Sequence, residues 1–481
     1  MSKKTKRSIS TFAILLAVLL LVSIATWLAA GKTYTGEDGE IAEVVGATSS
    51  DIFMAPVNGW ADAADVITFV FCLGAFLAIV NATGALETGI HTLVRRLHGK
   101  ELALIWILMF VFSIGGTTYG MGEETVGFYI LLAATMMAAG FDPIVGAATV
   151  LLGAGTGVLG STINPFATGA AVAAATSVGV EVNMGTTYVL GIVLWLLTYV
   201  LSALFVTAYA KRVRANKGSI LTAAQLDECQ KTYGGKDVTT AKLTGRQKAV
   251  LWLFALSFVV MILGFIPWGS LSETMYNAFS SSTTWLTGAC LGDWWFYDAA
   301  TWFLLMGIII GVVGLEDKGQ LMKLIANGFG DMVSVNLVIA MARATSVIMA
   351  ATGLGTWLVE ASVTALSQSG VSAGVFGLLD YILHVGLSFL VPSSSGLAGL
   401  SAPIVSPIVA GMGWSVETSI MINVAANGFV NLFTPTCGFI MGGLALARVP
   451  YESWLKWAWK LLVALFVVVG VVLTIAMAVL S

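Results

Sequence analysis

Charge is the scarcest ingredient of this 481-residue chain. Asp, Glu, Lys and Arg make up 10% of it and hydrophobic residues 58%, with a mean hydropathy of +0.91, whereas a soluble domain carries about 25% charged residues. That shortage excludes a soluble globular fold. Cys72, Cys229, Cys290 and Cys437 show no paired spacing, which argues against a disulfide framework or a cysteine-bound metal. Histidine occurs three times, and HExxH, Walker and GxSxG patterns are missing, so no metalloprotease, nucleotidase or hydrolase site is legible. The net charge of −3 points to no partner. What remains is long apolar runs. Lipid offers no hydrogen bonds, so a spanning chain is either helical or a closed barrel. The runs are continuous rather than alternating, so the expected fold is an all-α polytopic membrane protein.

Met1–Arg7 is basic and precedes an apolar run, Thr11–Ala30, too long for the apolar region of a signal peptide and read as a retained span. Residues 31–62 are polar and acidic. A second span covers Ala64–Gly84, and an amphipathic piece, LETGIHTLVRRLHGKE, follows it. Two apolar arms over 102–140 flank GGTTYGMGEET. A long apolar segment at 143–178 is interrupted by GSTINPFATG, and Tyr188–Ala210 is a further span. After a basic, polar stretch at 211–248 the plan repeats. Spans lie near 249–267, 299–315 and 333–352, with an amphipathic piece at 314–331. Two arms at 373–411 flank PSSSG, a broken segment at 415–446 contains NLFTPTCG, and a last span covers 457–480.

Placing the N-terminus in the cytoplasm puts every Lys and Arg except Lys32 and Arg343 on the inner face, in line with the positive-inside rule. The same parity opens the first two-armed piece inward and the second outward, so the halves are inverted. The expected organisation is an N-terminal span (1–31), a first inverted repeat (60–210), a cytoplasmic basic linker (211–248) and a second repeat (249–481). It amounts to about nine full spans with two re-entrant helical hairpins and two broken helices. The expected location is a bacterial inner membrane.

Inverted halves that each contain a broken helix are the pattern of a secondary transporter, whose freed backbone groups become ligands near the midplane. Pro165 enforces the first break and Gly160 permits it. Ser161, Thr162 and Asn164 supply polar groups there. Asn431, Thr434 and Thr436 do so around Pro435 in the second half. The hairpin tips add Thr117, Thr118, Glu123, Glu124 and Thr125, and Ser393, Ser394 and Ser395. A single Ser or Thr in a membrane helix usually bonds back to its own backbone or joins neighbouring helices; four clustered breaks in inverted register favour a site. Asn164 is expected to be exposed in the cavity, so that its loss lowers transport without harming folding. Deep carboxylates such as Glu123 and Glu124 are costly and functional by default. Arg343, the sole base inside a span, either binds a substrate carboxylate or pairs with Glu360 or Asp380. Asp380 and His384, four residues apart, face each other as a proton relay or, the preferred reading, as a structural hydrogen bond. The tryptophans at 268–302 and 453–459 read as interfacial belts.

FSIGGTTYGMGEET, GSTINPFATG, VPSSSG, TPTCG and ALARVPYESWLKW together resemble the YfcC-like, anaerobic C4-dicarboxylate carrier family, which is similar to the ion transporter superfamily that includes divalent anion/sodium symporters. The resemblance covers residues 60–465. It implies paired re-entrant hairpins, cation-coupled transport, and a hairpin domain moving against a scaffold that often dimerises, so a homodimer is expected. It also implies sodium sites at the breaks, one at the 117–125 tip with Ser161, Thr162 and Asn164, the other at Ser393–Ser395 with Asn431, Thr434 and Thr436. Ser388 and Asn427 stand where the family pattern would place Asn and Asp, so the outer site lacks a carboxylate; Asn427 is kept among the binding residues.

The resulting expectation is a cation-coupled symporter or exchanger, not an enzyme. It has no cofactor beyond a coupling sodium ion or proton and no nucleic-acid partner. Its solute carries a carboxylate, and a basic amino acid such as arginine or ornithine is favoured over a C4-dicarboxylate. A passive channel is the alternative of another class.

Overall fold

The computed structural model describes residues 11–36, 40–89, 92, 100–215, 218–233 and 243–481. The basic Met1–Arg7 segment and most of the first amphipathic piece lie outside them. Helix α1 (Thr11–Ala29) leads into a small antiparallel pair, β1 (Thr33–Thr35) and β2 (Ile41–Glu43). Then come α2 (Ser49–Asp62), α3 (Ala64–Ala82), the hairpin α4 (Glu101–Tyr119) and α5 (Val126–Ala138), α6 (Pro143–Leu159), α7 (Ala170–Ser177), and α8 (Met184–Arg214). The middle holds α9 (Ala223–Tyr233), α10 (Gly245–Phe265) and two short helices, α11 (Trp268–Leu271) and α12 (Glu273–Ser282). The second half continues with α13 (Phe296–Gly314), α14 (Leu321–Thr352), α15 (Leu354–Gln368), the hairpin α16 (Ala373–Leu390) and α17 (Ser394–Gly411), α18 (Val416–Val430), α19 (Gly438–Leu446) and α20 (Tyr451–Leu480).

Among the described residues, ten helices are long and apolar enough to cross a membrane. Three of them, α4, α16 and α17, are hairpin arms, and the remaining seven stand where the sequence placed intact spans. The molecule is a multi-pass membrane protein. Three segments differ from the sequence reading. The polar region before α3 folds into α2, begun by a reciprocal cap in which Thr48 and Asp51 bond each other's backbone. The amphipathic piece at 314–331 is not separate but merges with the next span into α14. Gly353, at φ +73°, then ends α14 and starts α15, a helix the sequence left unassigned.

Both broken helices lie at the centre. Every residue of α6 is buried, and so is every residue of α18 except Glu417, and beyond Glu417 neither helix carries a charge. They pack on each other through glycine. A Cβ on Gly428 would run into the backbone of Leu159. Gly116 on α4 and Gly157 on α6 make an equally close crossing, each facing the other helix's backbone. The hairpin arms then exchange places: α5 packs on α19, and α17 packs on α7. Each hairpin therefore supports the broken helix of the other half. On one side, α3 packs against α13 and α14, and Phe69 and Phe76 of α3 meet Phe303 of α13 and Phe254 and Phe258 of α10 in an aromatic cluster.

The linker is anchored where α6 begins. Asp142 caps α6 at Val145 N and accepts hydrogen bonds from Tyr209 and Ser219. Burial pushes its carboxyl above the usual range, against the pull of those donors.

The glycine crossing makes a direct prediction. Gly428→Val must push α6 and α18 apart, at a cost on the order of 1–3 kcal/mol for overpacking. The purified protein in detergent should melt several degrees lower, whereas Gly399→Ala, with no neighbour near its added methyl, should melt as the wild type does.

Candidate functional site

At the first break, Pro165 and Gly160 interrupt α6 as the sequence required. Gly160 N still reaches Thr156 O, and then the chain leaves the helix. It restarts at Pro165–Gly169 as a single π turn, closed by Gly169 N on Asn164 O at 2.9 Å. Asn164 organises this restart. Its Oδ1 accepts from Phe166 N at 2.9 Å, and its Nδ2 donates to Ser161 Oγ at 2.9 Å. Ser161 Oγ in turn donates to Val158 O. The hairpin tip is stitched onto the break: Thr117 Oγ1 donates to Gly160 O at 2.7 Å, and Thr162 N and Oγ1 both reach Thr117 O. Thr118 and Thr125 bond back within their own turns, to Ile114 O and Gly122 O.

The second break repeats the device with amides in place of hydroxyls. Asn427 Oδ1 accepts from Ser394 Oγ at 2.8 Å, and its Nδ2 reaches Pro392 O. Asn431 Nδ2 donates to Pro392 O and to Asn427 Oδ1, both at 2.9 Å. Thr434 and Thr436 share a hydroxyl hydrogen bond of 2.7 Å, and Thr436 also reaches Phe389 O. Each tip is thus fastened to the break of its own half.

Between the two fastened tips lies a cavity of about 130 Å³. Glu123, Glu124 and the glycines of the first tip line it, as do Ser393, Ser394 and Ser395 of the second. Asn431 and Thr436 come from the second break, and Phe166 from the first. Asp65 and Arg343 enter from α3 and α14. Glu124 is pinned by Gly122 N at 3.0 Å, whereas Glu123 makes no side-chain hydrogen bond to another described residue. Asn431 Oδ1 is buried without a partner. The N-termini of α17 and α19 also open on this space, and such ends favour anionic groups. Thr117, Thr118, Thr125, Ser161, Thr162, Asn164, Asn427 and Thr434 do not line it.

Three sequence readings change. Asn164 is buried rather than exposed, because the restart of the helix consumes both ends of its amide. Arg343 pairs with neither Glu360 nor Asp380. It lies 3.5 Å from Asp62, at the end of α2, while Glu360 holds Thr35. Trp295 lines the cavity instead of standing in a belt; its Nε1 donates to Asp65 Oδ2 at 2.6 Å, and its ring packs on Phe166 at 4.7 Å. Asp62 and Asp65 were missed because they sit at helix ends, where a carboxylate reads as a capping group.

An all-helical membrane bundle with two interrupted helices and two hairpin tips around one cavity is a carrier architecture. The chain belongs to the C4-dicarboxylate anaerobic carrier family (DcuC), which matches residues 9–478. It is 29% identical to an uncharacterized protein of Haemophilus influenzae over 430 residues, covering 88% of this chain and 78% of that one. It is 27% identical to the putative basic amino acid antiporter YfcC of Escherichia coli over 425 residues, covering 85% and 77%. The crystal structure of the YdaH transporter of Alcanivorax borkumensis superposes with a TM-score of 0.50 at 17% identity, covering 97% of this chain and 98% of that one. The protein is therefore of a transporter family.

If Asn164 is a stitch, Asn164→Ala strands Phe166 N and loosens the break. Thermal denaturation should report a loss on the order of 1–3 kcal/mol, with Asn164→Asp, which keeps the acceptor, falling between the two. An unchanged melting curve for the alanine variant would contradict this role.

Proposed function

We propose that the chain is a secondary active transporter of a basic amino acid such as arginine or ornithine, working as a cation-coupled symporter or an exchanger. The observation that carries this reading is the charge of the cavity wall. Three carboxylates, Glu123, Glu124 and Asp65, face a single guanidinium, Arg343. Asp65 is occupied by Trp295 and Glu124 by Gly122 N, which leaves Glu123 and the open Asn431 Oδ1 as acceptors for an ammonium or guanidinium group. Arg343 and the N-termini of α17 and α19 suit the carboxylate of the same molecule. The name of the Escherichia coli relative agrees with this choice.

The family description and Arg343 support a second reading, a C4-dicarboxylate as solute. A dicarboxylate would set a like charge beside the half-buried Glu123, which costs affinity. A passive channel is separated from both by accumulation against a gradient. The hairpins re-enter the bilayer and move, with the broken helices, past α3 and α14. The seam for that motion is smooth: Gly438 and Gly442 of α19 lie against Ile339 and Val335 of α14. The N-terminus faces the cytoplasm of a bacterial inner membrane.

In proteoliposomes, the protein should concentrate labelled arginine or ornithine saturably. Glu123→Gln should cut that uptake by about ten- to a hundredfold, the equivalent of losing one charge-assisted hydrogen bond. Saturable succinate or fumarate uptake without arginine or ornithine uptake would overturn the proposal in favour of the dicarboxylate.

A further inference from the structure

Asp380 and His384 form an ionisable pair that the cavity does not use. They lie one turn apart on α16, 0% and 1% exposed. His384 Nδ1 stands 2.9 Å from Asp380 Oδ1 and 3.0 Å from the carbonyl Asp380 O. The geometry gives the hydrogen bond to the carbonyl, so both carboxylate oxygens and His384 Nε2 remain buried without a hydrogen-bond partner. A structural pair buried for its own sake would be expected to have those positions filled.

Among the described residues, the charges on the helices packed against the pair are engaged or placed elsewhere. Helix α16 packs on α15, α18 and α20. The ionisable group of α15 is Glu360, which is bound to Thr35. That of α18 is Glu417, in its first turn, accepting from Asn183 N and Ser415 Oγ. Helix α17 has none. In α20, Tyr451, Glu452, Lys456 and Lys460 lie at the N-terminal end, whereas Gly377 and Tyr381 of α16 meet Met477, Gly470 and Phe466 farther along. Tyr381, on α16 itself, is the remaining titratable neighbour, its hydroxyl also buried without a partner.

We propose that Asp380–His384 is a proton-binding site of the second hairpin. With an ionised Asp380 and a neutral His384 the pair carries one uncompensated negative charge. One proton taken from water neutralises the pair, on the carboxylate or as an imidazolium beside it, and is returned to water when the pair discharges. His384 precedes Ser393 by nine residues, roughly 14 Å along a helix. Ser388, between them, donates to His384 O at 2.6 Å. The proton thus binds on the arm that leads into the tip with the cavity-lining serines.

The test needs no solute and so stands apart from the proposed substrate. Infrared spectra of the purified full-length protein in lipid are recorded as the buffer is stepped between about pH 5 and pH 9, the span in which a histidine pair titrates. A pH-dependent carboxyl or carboxylate band that disappears in Asp380→Asn is expected, with its midpoint displaced in His384→Gln. Circular dichroism and gel filtration establish that both variants fold. If either does not, the wild-type imidazole band of His384, isotopically labelled, supplies the same readout. No Asp380 or His384 band responding to pH, or a response that survives in folded Asp380→Asn, would overturn the proposal.

Discussion

The whole arrangement depends on one constraint: a backbone group at membrane depth must have a partner, because lipid supplies none. A helix satisfies that rule by itself, and a broken helix does not. The chain meets the demand by bringing a second interruption to the first. The tip at Thr117 supplies and accepts the bonds that Gly160 and Thr162 have lost, and the tip at Pro392 is held by the amides of Asn427 and Asn431. Neither a hairpin tip nor a helix break is tolerable alone; joined, they leave little unsatisfied. Glycine lets the backbones approach closely enough for this, as at the Gly116–Gly157 crossing.

That same economy binds the two halves into one body. Each tip is fastened to its own break, yet each second arm packs on the far end of the other half's broken helix, and the two first halves cross at Gly428 and Leu159. A displacement of one hairpin is therefore passed to both breaks. The cavity lies on the line where this body meets α3 and α14, with Glu123 on one side and Arg343 on the other.

The architecture was legible because it follows from coarse properties. Apolar length marks spans, and proline and glycine mark interruptions. The hairpins and breaks stand within a few residues of where those signals put them. Side-chain roles were less legible, because a polar residue near a break has two uses that look alike in sequence. Asn164 and Glu123 are both polar residues of glycine-marked breaks, but the first is consumed by Ser161 and Phe166 while the second opens on the cavity. Only the position of the neighbouring backbone separates them. Arg343 shows the same limit. Its nearest carboxylate, Asp62, is distant in sequence and ends a helix whose polar composition hid it.

Sorting the buried polar groups by what they lack is therefore more informative than sorting them by type. Asn427, Thr117 and Thr162 are saturated, and their chemistry is spent on holding the fold. Asn431 Oδ1 and the Asp380–His384 pair are among the buried positions left without a hydrogen-bond partner, and Glu123 opens on the cavity. An unfilled buried acceptor lowers stability by more than a satisfied one contributes, so it persists where a partner that is not part of the chain completes it. Asn431 Oδ1 and Glu123 stand at the cavity between the tips, and the Asp380–His384 pair in the arm behind the second tip. Both places lie in the body that the two broken helices and the hairpins form by packing on one another.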